Sequence, residues 1–176
     1  MPETKPDTST QTLRVTEIYK SVQGESTWAG LPCIFVRLAR CHLRCVWCDT
    51  AYAFYGGDNV AIADIVAKCR EMECPLVEIT GGEPLVQPAC ADLAQVLLDE
   101  EFTVLVETSG SLPIYVLPAA SIKIMYLKCP DSGEADNNCW DNLGWLKPTD
   151  QIKFVVASRG DFEWAEKVIR EHSLQD

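Results

Sequence analysis

Short apolar runs, each closed by glycine, proline or a small polar turn, alternate with segments of helical periodicity along most of the chain. This alternation limits the fold more than any other feature. Residues 16–22 alternate as a strand does, and 33–38 form a short apolar run behind Pro32. Residues 60–73 place Ile62, Ile65, Val66 and Cys69 at helical spacing, with Asp58 and Asn59 as caps. Strands are expected at 75–80, 102–106, 121–127 and 152–156. Helices are expected at 88–100, with Leu93, Val96 and Leu97 inward, and at 161–172, with Phe162, Ala165, Val168 and Ile169 on one face. The polar stretch 129–150 reads as a long loop. Such an order predicts an α/β fold with a largely parallel sheet. Functional groups then gather where strands end.

The chain has 176 residues, enough for one domain. Residues 1–12 are polar, without the apolar stretch of a signal peptide, and are expected to form a disordered lead-in, leaving 13–176 as one domain. No apolar run is long enough to span a bilayer. The net charge is −11 with Lys and Arg scattered, which argues against direct binding of a long nucleic acid. Nine cysteines in a chain with no export signal read as reduced thiols in a cytoplasmic protein. Cys33 and Cys69 lie in apolar patterns and are expected to be buried.

Three of the cysteines, Cys41, Cys45 and Cys48, have the spacing C-x3-C-x2-C directly after the second strand. Thiolates suit zinc or iron–sulfur clusters. Structural zinc needs a fourth ligand, commonly in a second pair, and no such pair exists here. His42 adjoins Cys41 and would strain a tetrahedral site. Three thiolates on one loop suit a [4Fe–4S] cluster whose fourth iron stays open. Thr80-Gly81-Gly82-Glu83-Pro84 closes a strand, and its glycines let the backbone approach a ligand closely.

The cysteine spacing, with Trp47 before the third cysteine, and the Gly-Gly-Glu-Pro turn together resemble the radical S-adenosylmethionine (SAM) superfamily. The resemblance narrows to the 7-carboxy-7-deazaguanine synthases. It is carried by the stretches 17–26, 35–38, 48–50, 79–87, 107–110, 128–130 and 153–156. It implies a reduced, partial (β/α) barrel with a largely parallel sheet, a homodimer, and a lyase of queuosine and deazapurine biosynthesis. The implied reaction turns 6-carboxy-5,6,7,8-tetrahydropterin into 7-carboxy-7-deazaguanine with loss of ammonia. A [4Fe–4S] cluster, SAM, Mg2+ and a flavodoxin-like or ferredoxin-like electron donor are implied with it.

Carried over by position, the resemblance gives Cys41, Cys45 and Cys48 the cluster and Thr50 the Mg2+. SAM falls to Trp47, Cys48, Asp49, Gly81, Gly82, Glu83, Ser109, Tyr126, Leu127 and Lys128, with Glu83 meeting the ammonium. Substrate falls to Val22, Gln23, Gly24, Glu25, Arg37 and Thr80, with Arg37 clamping its carboxylate. Apart from these motifs, Arg37 reads equally as a structural ion pair and Thr50 as a helix cap. The chain departs from the family pattern at Tyr126 and Ser158, where acidic residues are expected, and it stops at Asp176 before the pattern's last strand and tail. A missing pocket wall would leave cluster binding intact and turnover weak. Two other readings stay open: another radical SAM enzyme, such as a glycyl-radical activase, and a zinc-stapled binding module without catalysis.

Overall fold

Apolar strands need partners on both edges, and here they find them in one seven-stranded sheet. The computed structural model describes residues 11–175. The strands are β1 (Thr12–Val22), β2 (Pro32–Leu38), β3 (Asp58–Ala61), β4 (Leu76–Gly81), β5 (Thr103–Thr108), β6 (Ile122–Tyr126) and β7 (Gln151–Lys153). Their order is β3-β1-β2-β4-β5-β6-β7. β1 runs antiparallel to β2 and β3, while β2, β4, β5, β6 and β7 are mutually parallel. The helices are α1 (Ile62–Glu71), α2 (Cys90–Asp99) and α3 (Arg159–Glu171). Only the first two parallel crossovers carry an α-helix. The later two use 3-10 turns, at Ile114–Val116 and between Pro130 and Trp145. The result is an α/β partial barrel.

Strand alternation sends Ile34, Val36, Val77, Ile79, Val104 and Val106 into one core with Ile62, Ile65, Leu93 and Leu97, all fully or almost fully buried. The opposite face carries Phe35, Arg37, Glu78, Thr80 and Glu107, which line a cavity. Cys33 and Cys69 are buried as expected, and burial pushes their thiols up to about 12 and about 11. Among the described residues no helix is long and apolar enough to cross a membrane.

Several boundaries differ from expectation. Of the anticipated lead-in, residues 1–10 lie outside the described ones, and Thr12 already pairs with Ala61. Asp58 and Asn59 do not cap α1; they belong to β3, and Ala61 holds the N-cap. The β1 edge takes up these residues, because ladder hydrogen bonds outweigh a cap. β7 ends at Lys153, so Phe154 to Val156 leave the sheet. On α3 the buried residues are Asp161, Ala165 and Val168, whereas Phe162 is 49% exposed beneath the Arg159 guanidinium. The 129–150 stretch is ordered by three 3-10 turns rather than being an open loop.

Candidate active site

At the carboxyl end of β2, Arg40 adopts a left-handed φ of +78° and turns the chain into the cysteine loop. The Gly81-Gly82 turn packs against that loop. The Gly82 N–H donates to Leu38 O at 3.1 Å and the Glu83 N–H to Arg40 O at 2.9 Å. A Cβ on Gly81, whose φ is +144°, would lie 2.0 Å from Leu38 O; on Gly82 it would lie 2.3 Å from Arg40 O and 2.8 Å from the Cys41 Cβ. The close approach that demands glycine is therefore first of all to the loop that bears the thiols.

Glu83 corrects the sequence reading. Its side chain is fully buried and does not reach the cavity. Oε1 accepts from the Leu85 N–H at 3.0 Å and the Thr108 hydroxyl at 2.8 Å, and Oε2 from the Ser109 N–H at 2.6 Å. It fastens the turn to the end of β5, behind the cavity wall. Leu127 is likewise in the core, fully buried with Ile114 and Met125. Val22 is 60% exposed and outside the cavity wall.

The other expected residues converge on one cavity of about 480 Å³, a size suited to small ligands. Cys41, Cys45 and Cys48 stand half-buried in its wall, next to Trp47, Asp49 and Thr50. Gly81, Gly82, Ser109, Tyr126 and Lys128 line it from the ends of β4, β5 and β6. Gln23, Gly24, Glu25, Arg37 and Thr80 complete the wall on the β1–β2 side.

Burial raises the Cys41 and Cys45 thiols, with Lys128 opposing it at Cys45, so metal charge is what would hold these thiolates. Among the described residues no three His, Cys, Asp or Glu side chains converge as a single ion requires. His42 Nε2 is instead 2.9 Å from Ser111 Oγ. Three thiols along one wall, without a fourth protein donor, fit a cluster that spreads its ligands over separate irons. Thr50 opens the 3-10 turn Ala51–Phe54, but its hydroxyl makes no capping bond. It lies 3.7 Å from Cys48 Sγ and faces the cavity.

Arg37 is partly engaged already. Nε meets Glu17 Oε1 at 2.7 Å and Nη2 donates to the Tyr19 hydroxyl at 2.9 Å. Burial works against its charge, but these two bonds outweigh burial and keep the guanidinium protonated. The fork is thus oriented, with Nη1 unpaired among the described residues.

Four cavity residues with chemistry were not assigned from sequence: Glu78, Glu107, Thr108 and Lys153. Glu107 accepts from the Thr80 hydroxyl at 2.7 Å and from the Tyr126 hydroxyl at 2.8 Å. Lys153 donates to the Tyr126 hydroxyl at 2.7 Å and pairs with Glu25. Burial draws its ammonium down to about 8. The Lys128 and Lys153 ammoniums lie 4.3 and 4.6 Å from the Tyr126 ring centroid. Tyr126 therefore contacts both lysines through its ring and Lys153 also through its hydroxyl, while Glu25 and Glu107 supply the acidic groups that pair with Lys153. A charge inside an apolar strand was the available signal for Glu78. Position at a strand end was the signal for Glu107, whereas Lys153 falls near the start of the expected 152–156 strand and becomes a strand end only because β7 stops there.

Known proteins match this arrangement. Residues 36–123 match the radical SAM superfamily model. The chain is 45% identical to the 7-carboxy-7-deazaguanine synthase of Koribacter versatilis (strain Ellin345), over 93% of this chain and 74% of that protein. It is 41% identical to the synthase of Chlorobaculum tepidum, over 92% of this chain and 75% of that protein. The crystal structure of QueE from Escherichia coli superimposes with a TM-score of 0.75 at 22% identity, covering 94% of this chain and 80% of that one, and supports the fold. Relatives more than 40% identical, about three quarters of whose length this chain covers, show the family, and so the chain belongs to the 7-carboxy-7-deazaguanine synthases, radical SAM lyases that use a [4Fe–4S] cluster and SAM.

Proposed function

We propose that this chain converts 6-carboxy-5,6,7,8-tetrahydropterin to 7-carboxy-7-deazaguanine and ammonia. The observation that carries this is Arg37, an oriented guanidinium in the same cavity wall as three cysteines. The bound cluster and SAM supply the radical that starts the reaction. The chain's own residues do the rest of the work: they bind, orient and keep water out. Arg37 holds the carboxylate, with Nη1 free for it. Gln23 and Gly24 border the ring, Thr80 touches it from the end of β4, and Thr50 offers an oxygen to Mg2+. Gly82, Ser109 and Lys128 border the SAM side, and Trp47 to Asp49 line its adenine by main chain. In this reading the enzyme is a cytoplasmic homodimer, reduced by a flavodoxin-like or ferredoxin-like protein, and its product feeds deazapurine synthesis.

The test is anaerobic reconstitution with iron and sulfide, then incubation with SAM, a reductant and the carboxytetrahydropterin. The expected product is 7-carboxy-7-deazaguanine. Arg37→Ala should lower kcat/KM for the pterin by about 10- to 100-fold, the worth of a charged hydrogen bond. Unchanged turnover would remove the clamp role. Production of a glycyl radical on a partner protein, with no deazaguanine formed, would point to an activase. Stoichiometric zinc with no cluster signal would end the radical reading.

A further inference from the structure

Glu78 is the one acidic residue in β4, and it is 3% exposed. Alternation along the strand puts it on the face of Thr80, in the cavity wall. In the parallel register Phe35 lies beside Glu78 and Arg37 beside Thr80. Two residues along a strand span about 7 Å. Glu78 and Phe35 thus form a layer beneath the one that holds Arg37, farther from the strand ends.

Oε2 of Glu78 accepts from Gln23 Nε2 at 2.5 Å. The Gln23 Oε1 in turn accepts from the Glu25 N–H at 3.2 Å, so the carboxamide is fixed in one orientation. Oε1 of Glu78 has no hydrogen-bond partner among the described residues. That oxygen opens onto the cavity, where a ligand's donor can complete it. Phe35, stacked on Tyr19 with centroids 5.2 Å apart, supplies a flat apolar wall next to it. A planar heterocycle fits there, with hydrogen-bond donors on the rim that meets Glu78.

We propose that Glu78 is a specificity-determining residue that accepts a hydrogen bond from the amino-bearing edge of the substrate's pyrimidine ring. That edge is remote from the carboxylate held by Arg37, as Glu78 lies one layer below Arg37. The inference rests on the pterin reaction proposed above. Glu107, the other carboxylate on this face, already accepts from Thr80 and Tyr126, which leaves Glu78 as the carboxylate with an unpaired oxygen. An analogue without the donor leaves Oε1 unpaired, and sites of this kind discriminate by roughly 10²-fold or more.

The test compares the reconstituted wild-type chain with Glu78→Gln on two substrates: the carboxytetrahydropterin, and its analogue with the 2-amino group replaced by oxo. The wild-type enzyme should favour the amino compound by roughly 10²-fold in kcat/KM. The variant should lose most of that preference, because its amide can donate to the oxo group. A purely structural Glu78 would lower both substrates alike, and an unchanged ratio overturns the proposal. Calorimetric binding of non-reacting 6-carboxypterin needs no turnover. It should weaken by roughly 10-fold or more in the variant with SAM affinity unchanged, and equal pterin affinity also overturns the proposal. A wild-type chain that binds the pterin but makes no deazaguanine sinks the reaction reading, while calorimetry still decides Glu78.

Discussion

Asp150 and Glu78 are both buried carboxylates of one sheet, but their surroundings are opposite. Asp150, at the amino ends of β6 and β7, accepts the backbone N–H groups of Lys123 and Lys147, each at 2.9 Å. The two lysine ammoniums stand 3.9 and 3.8 Å away, and both also donate to the carbonyl of Ser121. Its two oxygens are shared among four donors. Glu78, nearer the carboxyl ends, has one bonded oxygen and one bare one. Closed networks stabilise a fold; an open one inside a cavity lowers stability and waits for a ligand.

The largest effect is expected where closure is broken. Asp150→Ala leaves Lys123 buried without its counter-charge, and removing one partner of a buried pair costs about 3–5 kcal/mol. At about 2–4 °C per kcal/mol for a chain of this size, the melting temperature should fall by roughly 10 °C. SAM and pterin affinities, measured below the transition, should not change. A loss under 1 kcal/mol in denaturant melts would show that the amino end of the sheet is held by something else.

On the open side, Gly82→Ala should act on chemistry more than on the fold. The new Cβ would meet Arg40 O and the Cys41 Cβ, so the cysteine loop must shift. A displacement near 1 Å costs about 10²-fold in rate. Iron per chain and deazaguanine formation should fall together, with less loss in melting temperature than for Asp150→Ala. Full iron loading in this variant would separate the glycine turn from the thiols.

The contrast between the two ends also shows what the sequence could reveal. Strand and helix order was readable because 33–38 and 75–80 are short, mostly apolar runs bounded by Pro32 and by Gly81-Gly82, and Leu93 and Leu97 repeat at helical spacing. The cysteine loop and the glycine turn were readable because their chemistry is local. Contacts made at long range were not. Glu83 looks like a ligand contact in a turn, yet its partners Thr108 and Ser109 are 25 and 26 residues away. β3 was hidden because residues 58–61 become a strand only through the β1 edge. Glu78 was hidden because a carboxylate in an apolar strand gives no hint of Gln23, 55 residues earlier.

The open carboxyl has its own pH signature. Burial first, then the Glu107 charge, push Glu78 up to about 8 from the ordinary 4.5, against the pull of Gln23 and Arg37. Between those values the folded chain without ligand holds a proton that the unfolded chain has released, and a ligand that donates to Oε1 displaces that proton on binding. The contribution of Glu78 to stability is full below about pH 4.5 and is lost as pH rises through about 8. Glu78→Gln removes this dependence. The variant should gain on the wild type across that window, by at most about 1.4 kcal/mol per pH unit, and hold level above about pH 8. Parallel curves for the two proteins in melts from pH 5 to 9 would place Glu78 among the closed networks.

The smallest effect belongs to Ser158, where the family pattern expects an aspartate. Ser158 Oγ accepts the Asp161 N–H at 3.2 Å and caps α3. Asp161, itself buried, accepts the N–H groups of Asp131 at 3.0 Å and Ala157 at 3.1 Å. This helix end is therefore as closed as the Asp150 site. Serine and aspartate cap almost equally well, since each offers an oxygen at the same reach. Ser158→Asp should match the wild type within a few tenths of a kcal/mol, whereas Ser158→Ala should lose about 1 kcal/mol. Neither change should alter the KM for the pterin, because the cap lies outside the cavity wall. A KM shift with Ser158→Ala would mean that α3 reaches the site through the Asp131 segment, and that the closed and open regions are coupled.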